Sequence, residues 1–282
     1  MTAHSTIAQE YLSIIDALTR VTTLPRVRQV WLPPLRKVPP RSAEFGAVIL
    51  EDDSVGLMFM LLDDTLPRIR ARAASASWTG LDPVVLARGF DAADPVDKIL
   101  GLGAANAIAQ HAIRATALPL DTETNSIASF DPQPGDHMGM VGFFPPLVQK
   151  LRAKSIDLTV IELKRELVQQ SPGFQVTLDP GDLRRCNKIL CTSTLLLNDS
   201  VDRVLAHCAH ADQVAIIGPG AGFFPDPLFA RGVHTVGGNQ VLDAEGFVAR
   251  CQREEKWGDA SRKYCLHRDA YAGYEAVLHK LR

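Results

Sequence analysis

The chain has 282 residues, 46% of them hydrophobic and 22% charged, a globular composition that excludes wholesale disorder. Thirty Lys and Arg against 32 Asp and Glu leave a formal charge of -2, so there is no general attraction to nucleic acid or to an anionic membrane surface. Five cysteines (Cys186, Cys191, Cys208, Cys251 and Cys265) make an odd number without a CxxC pair, which argues against both a disulfide scaffold and a zinc ribbon. The first residues, MTAHSTIAQEYLSIIDAL, show no basic leader followed by an apolar core, and no apolar run reaches the ~18 residues of a membrane span. A soluble cytoplasmic protein is the expectation.

In chain order, the first pattern is a helix from about Thr6 to Thr19. Ile7, Tyr11, Ile14, Ile15 and Leu18 fall at three- and four-residue spacings and so share one face. The proline-rich stretch from Trp31 to Pro40 cannot continue a helix and reads as extended chain. Two apolar runs, Ala47 to Leu50 and Val55 to Leu61, flank the polar cluster Glu51-Asp52-Asp53-Ser54 and predict a β-hairpin. Asp82-Pro83 and Asp94-Pro95 are helix starts, with Asp as cap and Pro in the first turn. The second of these helices should run from about Pro95 to Ala115. Its small-sided centre, Gly101 to Ala107, predicts close approach of another backbone, at about 1 kcal/mol of helix propensity per glycine.

Periodicity stops between Leu118 and Pro134, where turn formers accumulate. This divides the chain into an α+β domain over 1–118, a linker over 119–134 and a second domain over 135–282. In the second part, apolar runs at His137 to Val141, Leu158 to Ile161, Lys188 to Leu190, Val214 to Ile217 and Val233 to Val236 alternate with helices. Those helices are expected at Pro146 to Lys154, Asp199 to Cys208 and Asp243 to Cys251. Alternation of this kind predicts an α/β fold with an open, mostly parallel sheet. The polar tail ends in an amphipathic helix carrying Tyr271, Tyr274, Leu278 and Leu281. It should pack on the body or on a second subunit, so a homodimer is one expected assembly.

Ligands of open α/β sheets lie beyond the carboxyl ends of the strands, so the loops there carry the candidates. The first is Gly142-Phe143-Phe144-Pro145-Pro146, with Glu162 twenty residues beyond Gly142 at the end of the next run, where a nucleotide-binding unit holds the acid that receives ribose hydroxyls. The full GxGxxG pattern is not there, and a tight turn with a solvated glutamate reads equally well. The second loop joins Thr192, Ser193 and Thr194 to Asn198-Asp199-Ser200. Capping accounts for the last three but not for the hydroxyls before them, while Cys191 reads as a buried structural thiol. The third, Gly218 to Pro227, has Gly218, Gly220 and Gly222 placed to surround an anion with backbone N–H groups, and Phe223 and Phe224 to wall a pocket. The fourth is Gly237-Gly238-Asn239-Gln240, with Asp243 capping the next helix. The eight histidines show no HxxxH or HExxH spacing, and there is neither a GxSxG elbow nor a glycine loop followed by a Walker lysine.

These loops, in this order, resemble the putative heavy-metal chelation family, whose biochemical function is unassigned. The likeness rests on the small-residue helix Gly101 to Ala107 with Asn106, and on Val141 to Pro145 with Glu162. It continues through Thr192 to Asn198, Gly218-Pro219, Pro225, and Gly232-Val233 with Gly237, Val241 and Asp243. The resemblance implies an enolase N-terminal-like domain, a Rossmann-like domain and a site between them that takes a metal or its chelate. A divalent or transition metal ion is the cofactor it allows. The sequence departs from the family with Gly220 in place of a small hydroxyl residue and Asp199-Ser200 in place of glycine-threonine.

Three readings follow. The leading one is binding, with or without turnover, of a small anionic metabolite or metal chelate between the domains, using Asn106, Gly142, Phe143, Glu162, Thr192, Thr194, Asn198, Gly218, Gly220 and Gly222. In it Glu162 orients a hydroxyl, amine or metal, and Glu162→Gln weakens binding by roughly 1.5–3 kcal/mol with little loss of stability. The second is a nucleotide- or S-adenosylmethionine-dependent enzyme using Gly142 and Glu162. The third is a non-enzymatic interaction protein.

Overall fold

The computed structural model describes residues 5–35, 44–124 and 130–282. The proline-rich stretch beyond Leu35, and residues 125–129 of the expected linker, lie outside the described residues.

Helix α1, Ile7–Thr19, starts where the sequence places it, because Thr6 and Gln9 form a reciprocal capping box. Its periodic face, including Tyr11, Ile14, Ile15 and Leu18, is buried. Strands β1 (Val27–Trp31), β2 (Phe45–Leu50) and β3 (Val55–Phe59) form an antiparallel sheet in the order β1-β2-β3. The expected hairpin is β2–β3. Its turn places Asp53 at φ 66, and the Asp52 carboxylate accepts from the Ser54 amide and hydroxyl at 3.1 and 2.8 Å.

Helices α2 (Thr65–Ser75), α3 (Pro83–Ala87) and α4 (Pro95–Ala115) follow. Asp82 and Asp94 cap the last two by accepting from Val84 and Val96 amides, both at 2.9 Å. Helix α4 has no solvated stripe along most of its length: everything from Lys98 to Gln110 is buried. Gly101 has the predicted cause, whereas a Cβ on Gly103 would meet the Met58 and Val48 side chains. A Cβ on Gly101 would stand 2.1 Å from the Phe90 amide nitrogen, and one on Gly56 of β3 would stand 2.0 Å from the Gly103 carbonyl oxygen. Backbone therefore packs on backbone, which only glycine permits.

The second sheet contains β4 (His137–Val141), β5 (Asp157–Ile161), β6 (Gln169–Ser171), β7 (Phe174–Thr177), β8 (Lys188–Thr192), β9 (Gln213–Ile217), β10 (Thr235–Val241) and β11 (Ser261–His267). Their order is β11-β10-β9-β8-β4-β5-β7-β6. All neighbours from β10 to β7 are parallel, and only the edge pairs β10–β11 and β6–β7 are antiparallel. The fold is mixed α/β with a mostly parallel sheet, as expected. Helices α5 (Pro145–Ala153), α6 (Val201–Leu205), α7 (Asp226–Phe229), α8 (Ala244–Gln252) and α9 (Tyr274–Leu281) complete it.

Several boundaries differ from the sequence reading. The strand expected at Val233 to Val236 continues to Val241, because β11 supplies ladder partners as far as Val241↔Ser261. Gly237 to Gln240 is therefore strand, not a loop. The helix expected over 199–208 shrinks to α6. Tyr271 precedes α9 and gives its hydroxyl proton to Asp226 at 2.8 Å, while the Tyr274 amide donates to the same carboxylate at 3.0 Å. Between the two sheets, one apolar cluster joins Tyr11 and Ile108 from the first half to Phe223 and Val236 from the second. Among the described residues no helix is long and apolar enough to cross a membrane.

Candidate functional site

In the central run β7-β5-β4-β8-β9-β10, the chain begins in the middle at β4, builds outward through β5 and β7, then returns to build from β8 on the other side. The order thus reverses between β4 and β8. At such a reversal the loops leaving adjacent strands go to opposite faces, which opens a crevice at the carboxyl ends.

Four candidates stand along that end. Gly142 follows β4, Glu162 follows β5, Thr192 ends β8 and Gly218 follows β9. With strands about 4.8 Å apart, Gly218 and Glu162 are separated by three spacings, roughly 14 Å across the sheet. Gly142 and Thr192 flank the reversal itself. Gly142 has φ 91, and a Cβ there would meet Thr192 Cγ2 at 3.2 Å, so glycine lets the two loops close on each other. Gly218 does the same for Ser193, whose Oγ would lie 2.4 Å from an added Cβ.

The hydroxyls beside the crevice are ordered. Thr192 Oγ1 receives the Thr194 amide at 3.3 Å and lies 3.0 Å from Thr194 Oγ1, and both residues are half-buried. The turn that follows is held internally: Asn198 Oδ1 accepts from the Ser200 amide at 3.3 Å and from its hydroxyl. Asp199, at φ 53, forms an ion pair with Lys98, whose side chain is only 8% exposed.

Glu162 has local partners. Its Oε2 accepts from the Phe143 amide at 3.0 Å, and its Oε1 from the Leu163 and Lys164 amides at 2.8 and 3.4 Å. The carboxylate thereby ties the loop after β4 to the loop after β5. Phe143 itself is half-buried.

The rest of the candidate set lies beneath this rim. Gly220, Ala221, Gly222, Phe223 and Phe224 are buried, and both phenylalanines belong to the core that contains Tyr11. Asn106, fully buried on α4, donates from Nδ2 to the Leu57 carbonyl at 2.8 Å and the Gly220 carbonyl at 2.9 Å. A Cβ on Gly222 would come within 3.3 Å of Asn106. One turn further along α4, Gln110 donates to the Gly222 carbonyl at 2.8 Å. The glycine loop thus presents two carbonyls to α4, which clamps it to β3 of the first sheet. Sequence reasoning overlooked Gln110 and Lys98. A polar residue four positions after Asn106 on an otherwise apolar helix was the available signal for Gln110.

Whether these residues suit a heavy-metal ion bound directly is a question of donor chemistry. Soft metals take thiolate and imidazole, whereas the rim offers hydroxyls, amides and one carboxylate already engaged by backbone N–H groups. Cys191 adjoins Thr192, but it is fully buried, and its contact with Cys208 together with burial holds the thiol well above its ordinary pKa. Among the described residues no three His, Cys, Asp or Glu side chains converge as a metal-holding group. The rim does not fit a bare soft cation.

The fold and rim define a mixed α/β protein whose main parallel sheet reverses order beside a glycine- and hydroxyl-edged crevice. The chain belongs to the DUF364 family, described as "Putative heavy-metal chelation", whose model matches residues 125–268. It is similar to an uncharacterized protein of Methanocaldococcus jannaschii, at 25% identity over 183 residues, 62% of this chain and 68% of that protein. Two crystal structures of DUF364 proteins of unknown function share its fold. The one from Desulfitobacterium hafniense has a TM-score of 0.66 at 20% identity, over 92% of this chain and 99% of the other. The one from Pyrococcus horikoshii has a TM-score of 0.60 at 17% identity, over 93% and 98%.

Proposed function

We propose that this chain binds a small anionic metabolite, or a metal ion already enclosed in an anionic chelate, at the crevice between β4 and β8. The observation that carries the reading is the placement of Gly142 and the Thr192–Thr194 hydroxyl pair on the two sides of the strand-order reversal. The Thr192 and Thr194 hydroxyls suit the oxygen shell of a chelate better than a naked soft cation. In this reading Glu162 acts by setting the shape of the 142–144 loop, through the amide of Phe143. The finer architecture is part of the same proposal: residues 1–118 as an enolase N-terminal-like domain, 119–134 as linker and 135–282 as a Rossmann-like domain. Support for the last comes from the run β7-β5-β4-β8-β9-β10, which is the order 3-2-1-4-5-6 when numbered from β4.

The nucleotide reading is the weaker one, because it needs the Glu162 oxygens for ribose while three backbone amides already approach them. The test is a melting titration with citrate, nickel citrate, free nickel and ATP, on wild type and Thr192→Val. The expected result is stabilisation by citrate or its nickel complex, approaching about 2.7 kcal/mol at a hundredfold excess over Kd and reduced in Thr192→Val. Stabilisation by free nickel or by ATP alone, equal in both proteins, would overturn it.

A further inference from the structure

Away from the β4–β8 crevice, a groove of about 330 Å³ opens between the end of α4, the chain after it, and the ends of β10 and β11. Its volume lies at the lower end of the range for small-ligand sites. Apolar walls come from Ile113, Leu118 and Val241, and Leu242 beside them is 52% exposed. Two arginines, Arg114 from α4 and Arg262 from β11, line the same groove.

Arg262 is held by a built-in support. It stands directly across the strand pair from Gln240, and Gln240 Oε1 accepts from Arg262 Nε and Nη2 at 3.0 and 2.7 Å. Gln240 is only 4% exposed and is fixed in turn by donating to Gln110 Oε1 at 3.3 Å. Gln110 completes the chain of contacts through the Tyr264 hydroxyl at 3.0 Å. On the other wall, Arg114 donates from Nη1 to the Asp52 carbonyl at 3.0 Å. Each guanidinium therefore spends some N–H groups on neutral acceptors and keeps others. Among the described residues, neither meets a carboxylate.

Two oriented cations without counter-charges, over apolar walls, match a small anion with an organic body. Guanidinium presents paired donors suited to carboxylate and phosphate oxygens. We infer that this groove is a second binding site, for a small organic dianion of the phosphomonoester or dicarboxylate type, held by Arg114 and Arg262. The inference stands apart from the crevice reading, since it uses none of the same residues.

The experiment is calorimetric titration of the full chain with phenyl phosphate and with succinate, at low and high salt. The proteins are wild type, Arg262→Gln, Arg262→Lys, Arg114→Gln and, as a control for the other site, Thr192→Val. Both arginines are exposed, so the variants should fold, and melting curves check that they do. The expected result is saturable binding of at least one probe, weakened by salt. Each Gln variant should lose about tenfold or more in affinity, as for a lost hydrogen bond to a charged group, and Thr192→Val should lose nothing. Arg262→Lys should fall between, because it keeps the charge but not the fork that Gln240 orients. Binding unaltered by both Gln variants, binding abolished only by Thr192→Val, or no saturable binding of either probe would each overturn the proposal.

Discussion

Replacing Glu162 by Gln tests whether the rim loops are held by a charge. The carboxylate accepts three backbone N–H groups, one on Oε2 and two on Oε1. The isosteric amide keeps one acceptor oxygen and turns an NH2 group toward whichever backbone donor it no longer satisfies. The replacement therefore loses at least one hydrogen bond to a charged group, worth about 1.5–3 kcal/mol. With roughly 2.1 cal/mol/K of unfolding entropy per residue, a chain of 282 residues melts about 1.7 °C lower for each kcal/mol lost. Glu162→Gln should then melt about 3–5 °C lower for unfolding of the whole chain in one step. Calorimetric melting and urea unfolding at neutral pH measure this. A variant as stable as wild type within about 0.5 kcal/mol would show that the three contacts are not what holds the loops. It would also restore the expectation, read from the sequence, that this acid serves binding at little cost to folding.

Asn106→Ala should cost about 2–5 kcal/mol in urea unfolding, because it strands the Leu57 and Gly220 carbonyls in a dry interior. Gly218→Ala should destabilise by about 1–3 kcal/mol through its clash with Ser193 Oγ, and adding Ser193→Ala should recover part of that loss. A double-mutant cycle that shows simple additivity would contradict the contact. Acid should weaken the fold between about pH 4 and pH 2. The Asn187 amide, then Lys188, hold the Asp136 carboxyl down at about 2 against its ordinary 3.8. For Asp52, burial pushes the carboxyl up, but hydrogen bonds from His111 and Ser54 outweigh it and leave it at about 2. Groups depressed on folding contribute stability above their unfolded value and lose it as pH falls through the folded one. Asp136→Asn should therefore flatten the melting profile in that window, and an unchanged acid slope would refute the assignment.

Much of this architecture could be read from residues because local chemistry and tertiary packing agree. Thr6, Asp82 and Asp94 cap helices where their spacing says they should, and the run His137–Val141 is β4 in full. Gly101 of α4 signals the backbone contact it makes with Phe90. What escaped notice depended on neighbours. Strand β11 carries Arg262 and Lys263 and has little apolar alternation, so only its pairing with β10 makes it a strand. Gly220 and Gly222 read as an anion cradle, since a sequence does not say which way a loop's carbonyls point. Two of those carbonyls face Asn106 and Gln110, far along the chain. The Glu162 contacts were hidden for the same reason: backbone N–H groups leave no mark in composition.

The central claim is that the strand-order reversal between β4 and β8 holds an anionic ligand. Amide and threonine-methyl NMR chemical shifts, followed during titration with citrate and its nickel complex, test it most directly. The account predicts saturable shifts concentrated at Gly142, Phe143, Thr192, Thr194 and Gly218, with Thr192→Val weakening the binding. Saturable shifts confined to other surfaces, with these five residues unmoved, would contradict it.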